Sequence, residues 1–155
     1  MRGVQEIAEF LWKMRARLRF GELSRMPLQL LRFEVTGTGA SCEWIARQPD
    51  AWDADVPHAI RDHNSTVQAL QDAIAIRETL FSAIPQIKEA KFRVYRELEY
   101  GRELIITGLV SREDTVPPRV SSPAMRARLY GLHFSMQGGL LEPLEVSKKN
   151  LQFAT

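Results

Sequence analysis

Cysteine occurs once in these 155 residues, at Cys42, so no intrachain disulfide can form and no thiolate-built structural zinc site is available. Histidine occurs three times, and His58 and His63 are five apart, which is not the i, i+4 spacing of a zinc-binding helix. No stretch approaches the ~18 consecutive apolar residues of a membrane span. Lysine is scarce as well: five of the 21 basic residues are Lys and sixteen are Arg. The net charge of +2 does not by itself mark a nucleic-acid binder. The opening segment interrupts its apolar pattern with Glu6, Glu9 and several cations, so no secretory signal is read there and the expected location is the cytoplasm.

With 45% hydrophobic and 26% charged residues, the composition is that of a globular domain large enough to bury its own core. Residues 1–147 are expected to form one domain, with 148–155 as a tail. Val4, Ile7, Leu11, Met14 and Leu18 recur at helical spacing and predict a helix over about 3–19. Leu31, Phe33 and Val35 alternate with polar residues, and Thr36-Gly37-Thr38-Gly39 supplies a hairpin turn into a strand bearing Cys42, Trp44 and Ala46.

From Val56 to Ile84 the steps of 4 and 3 through Ile60, His63, Val67, Leu70, Ile74, Arg77 and Phe81 predict one long helix of roughly 40 Å. A rival start lies at Ser65, the first residue of a capping box. A second hairpin turns at 99–102, and Ser122-Pro123 opens a short helix with Met125, Leu129, Leu132 and His133 on its stripe. Residues 140–146 are a candidate final strand.

The expected fold is therefore α+β, in the order α-β-β-α-β-β-α: an antiparallel sheet of two β-hairpins with helices packed on one face. This order, over most of the chain, resembles that of roadblock- and profilin-like small domains, in which a long helix separates two antiparallel strand sets.

No constellation of catalytic residues stands out. Thr36-Gly37-Thr38-Gly39 precedes a strand rather than a helix, which fits a hairpin and not a dinucleotide loop, and no Walker A pattern occurs. Asp55, His58 and Asp62 fall on one helix face, where His58 and Asp62 are the candidates for acid–base or metal chemistry beside the plainer reading of a cap and solvated charge. His63, within the seam, reads as a core or interface histidine, and Cys42 as a buried, inert thiol.

Ser121, Ser122, Arg119 and Arg126 form a candidate anion site at a helix start. Val67, Leu70, Ile74 and Phe81 are the candidate interface. The reading that best fits is a non-catalytic interaction or ligand-binding domain that self-associates, as a homo-oligomer or with a protein partner, without cofactor, metal or membrane. One alternative is a small enzyme using His58 with Asp55 or Asp62. Another is an anionic partner bound through the Arg clusters 13–19 and 119–128, nucleic acid being disfavoured for want of any recognition signature. Elsewhere the arginines lie beside Glu or Asp, as Arg47 does near Glu43, which reads as surface composition.

Overall fold

The computed structural model describes residues 2–17, 28–48 and 55–144. Its elements are α1 (Arg2–Arg17), β1 (Gln29–Thr36), β2 (Gly39–Ile45), α2 (His58–Ala83), β3 (Glu89–Leu98), β4 (Gly101–Ser111), α3 (Pro123–Leu129) and the two-residue strands β5 (Leu132–His133), β6 (Met136–Gln137) and β7 (Leu140–Leu141). The chain is thus α+β, and both hairpins form where turn chemistry places them. Gly37 takes φ of +61° in the first turn, a left-handed conformation that a Cβ disfavours. No helix among the described residues is long and apolar enough to cross a membrane.

The sheet corrects one expectation. Five strands run in the order β1-β2-β3-β4-β5, and β2 pairs with β3 in parallel, from Gly39 opposite Glu89 to Ile45 opposite Tyr95. The other neighbours are antiparallel, so the sheet is mixed. The reason is the helix between the hairpins: α2 returns the chain to the end of the sheet where β2 began, and β3 enters in the same direction. The two strand sets therefore form one continuous sheet. A second, two-stranded sheet joins β6 to β7.

Cys42 and Trp44 on β2, Ala90, Phe92 and Val94 on β3, and Ile106 and Val110 on β4 share one core with Leu70, Ala73, Ile76 and Leu80 of α2. Trp44 meets Phe92 edge-on at 5.2 Å, and Phe10 of α1 stacks on Phe33 of β1 at 4.7 Å. The sheet's opposite face carries Ser41, Glu43, Lys91, Arg93 and Thr107, partly or fully exposed. A bulge opposite Val94 and Tyr95 leaves Ile105 as the extra residue of β4, and Ile105 is buried beside Ile106.

α2 is continuous over 26 residues, about 39 Å at 1.5 Å per residue. It does not present a single seam. Ile60 and His63 are exposed, so His63 is not a core histidine, whereas Gln68, Asp72, Arg77 and Thr79 are buried with the apolar set. With α1 and α3 also against it, its second half is enclosed on more than one side. α3 reverses the expected stripe: Met125 and Leu129 are 51% and 50% exposed, while Ala127 is buried and Ala124 packs on the core. Small residues let this short helix lie close. Gly138-Gly139 turns from β6 into β7, and β7 holds only two residues of the candidate final strand. Residues 145–155, the side chains of Val4 and Arg17, and Leu18 and Arg19 lie outside the described residues.

Candidate functional site

The parallel strand β2 ends opposite Tyr95 while β3 runs on to Leu98, and beyond the end of β2, beside the last residues of β3, lies a cleft of about 390 Å³. Crevices outside the carboxyl ends of parallel strands are recurrent ligand positions in α/β sheets. Ala46, Arg47 and Gln48 follow β2 into it, and Arg96 and Glu97 come from the end of β3. Glu103 and Ile105 enter from the start of β4. Asp62, Ser65, Thr66 and Ala69, at i, i+3, i+4 and i+7, share one face of α2 and form another wall. Leu140 and Leu141 of the β6–β7 hairpin complete it. The hairpin is tied down where the Thr66 hydroxyl donates to the Gly139 carbonyl at 2.8 Å.

The two arginines here are neutralised from inside the protein. Arg47 Nε donates to Asp72 Oδ2 at 2.8 Å, with the two side chains 1% and 3% exposed. Gln68 Nε2 donates to the other carboxylate oxygen at 2.9 Å. Burial pushes the Asp72 carboxyl above its usual range, although Arg47 and Gln68 pull the other way. Arg96 Nε donates to Glu103 Oε1 at 2.6 Å. Neither a histidine nor a cysteine lines the cleft.

Of the residues singled out from sequence, Asp62 alone lines this cleft. His58 is the exposed first residue of α2, Asp55 is exposed ahead of it, and no hydrogen bond or ion pair among the described residues joins His58 to either aspartate. Among the described residues no group of three or more His, Cys, Asp and Glu could hold a metal ion. Cys42 is fully buried and desolvation pushes its thiol far up.

At the start of α3, Ser122 Oγ accepts from Met125 N at 3.3 Å as the helix cap. The Arg126 guanidinium donates to the Val120 and Pro117 carbonyls and to the Tyr130 hydroxyl. It closes the 117–122 loop and does not face outward, while Arg119 and Ser121 are exposed. Leu70 and Phe81 belong to the chain's own core, with Val67 and Ile74 partly buried.

Three arginines have structural roles that the sequence did not announce, Arg77 having been placed only within the α2 seam. Arg47 pairs with Asp72, not with Glu43. Arg77 donates to the Ser111 and Asp114 carbonyls and lies 4.0 Å from the Tyr130 ring centroid. Arg112 donates to the carbonyls of Phe81, Ile84 and Ile87 at 2.8–2.9 Å, closing the end of α2. A second groove, about 380 Å³, lies between α1 and α2 and is lined by Trp12, Lys13, Ala16, Thr79 and Ser82. Compared with protein-family models, with curated proteins and with solved structures, the chain matches none.

Proposed function

We propose that this chain is a non-catalytic α+β binding domain whose ligand sits in the cleft beyond the end of β2, beside the last residues of β3. One observation carries the reading: five parts of the fold converge on a concavity of about 390 Å³, within the size range of small-molecule sites, and line it with both apolar and charged groups. The buried Arg47–Asp72 pair at its base fixes the β2 end against α2, so the concavity is largely preformed.

Filling the cleft tests this. Ser65 is partly buried on the α2 wall, and Ser65→Trp places a large ring into the space without removing any core side chain. In amide NMR against a small-molecule fragment set, hits should shift the resonances of Arg47, Thr66, Ala69 and Leu141 and vanish in Ser65→Trp. Hits clustering elsewhere on the protein would refute the assignment.

Self-association is a second reading, favoured by Trp12. This indole is 69% exposed on α1 beside the α1–α2 groove, an exposed apolar surface of the kind a second copy would cover.

A further inference from the structure

Resting on that reading of the cleft, we infer that its ligand is a small aliphatic cation carrying N–H donors, an amine or a guanidine. The cavity makes the site, and its charges decide the class. Among the described residues five ionisable side chains line it: Arg47, Arg96, Asp62, Glu97 and Glu103. Arg47 is bound to Asp72 and Arg96 to Glu103, so neither guanidinium is left over for an anionic ligand. Asp62 and Glu97 have no hydrogen-bond or ion-pair partner among the described residues, and Arg61, next to Asp62, does not line the cleft. Among the described lining residues the charge that remains to be met is negative; Arg102, opposite Glu97 in the β3–β4 register, is exposed and does not line the cleft. A concave site with a net charge of one sign concentrates counter-ions, and charge-assisted hydrogen bonds to carboxylate are the strong ones.

The same lining selects among cations. Quaternary ammonium ions, which cannot donate, are held by aromatic cages, and among the described residues no aromatic side chain lines this cleft. An ammonium or guanidinium donates directly to carboxylates. Ile105, Leu140 and Leu141 offer apolar surface to a methylene chain. A metal ion is less suited, since no group of three ligating side chains is present among the described residues.

The experiment titrates the labelled full chain with 1,5-diaminopentane, glutarate and 1,5-pentanediol, three probes of similar length and different charge, and reads amide shifts. The diamine should move the cleft resonances saturably, at least tenfold more tightly than either other probe, and added salt should weaken it. Asp62→Asn with Glu97→Gln should weaken it tenfold or more, and Ser65→Trp should abolish it. Equal binding by glutarate or the diol, or undiminished diamine binding in the Asp62→Asn/Glu97→Gln variant, overturns the cationic class while the cleft remains the seat. Diamine shifts that persist in Ser65→Trp place the ligand elsewhere and overturn both readings. Absence of any shift with all three probes overturns the inference.

Discussion

Arg47 and Asp72 form an almost fully enclosed ion pair, and the upward displacement of the Asp72 carboxyl shows desolvation outweighing what Arg47 and Gln68 return. Asp72→Leu leaves a buried guanidinium and the Gln68 amide without their acceptor, and should cost about 3–5 kcal/mol in urea denaturation. Arg47→Met with Asp72→Leu removes both charges and should match or exceed the parent chain in stability. The pH dependence follows from the raised carboxyl: the folded chain holds that proton more tightly than the unfolded chain. Its contribution is therefore fully present below the unfolded value of about 3.9 and is lost as pH rises through the folded value. The double variant should gain on the parent as pH rises through that folded value. None of this pairing was legible in the sequence, because Arg47 and Asp72 are brought together by the fold and Glu43, the nearer carboxylate in the chain, faces the other side of the sheet.

Elements were legible where their chemistry is local. The first turn follows from Thr36-Gly37-Thr38-Gly39 and the α3 cap from Ser122-Pro123, each satisfied within a few residues. What escaped depends on neighbours. Nothing in β2 or β3 states that they pair in parallel, and the inward face of α3 is chosen by the close fit of Ala124 and Ala127 rather than by its larger apolar side chains.

The end of α2 belongs to the same class. Its last carbonyls are met by Arg112, a residue of another element's edge. Arg112→Ala should lower stability by about 3 kcal/mol, since hydrogen bonds from charged donors contribute roughly 1.5–3 kcal/mol each and do not add in full. Arg112→Lys should recover less than half of that, because a single ammonium lacks the planar fork that spans three carbonyls. Urea midpoints of the two variants check both statements.

On the scale of the whole molecule, the long helical seam that suggested a partner is taken up by the chain's own sheet and flanking helices. Self-association therefore rests on surface apart from that seam, and the α1–α2 groove with Trp12 is where it is expected. Light scattering should give the mass of more than one chain at micromolar concentration. Trp12→Ser should return it to that of a single 17.7 kDa chain without loss of helical signal, because the indole is exposed and supports no core contact. The overall α+β class was readable from alternation and helical periodicity. The cleft was not, since its walls come from β2, β3, β4, α2 and β7, and only Asp62 had been marked for chemistry.

The β6–β7 hairpin supplies one wall of that cleft through Leu140 and Leu141, yet it stands outside the main sheet and is pinned to α2 by the Thr66–Gly139 bond. Within this hairpin Leu141 is buried in the core, whereas Leu140 lines the cleft from a partly buried position. Leu140, only partly buried, can vary in size and polarity to retune which molecules fit while the five-stranded sheet and its core stay unchanged. Selection, or an engineer, can adjust the fit of a ligand by rewriting this one position.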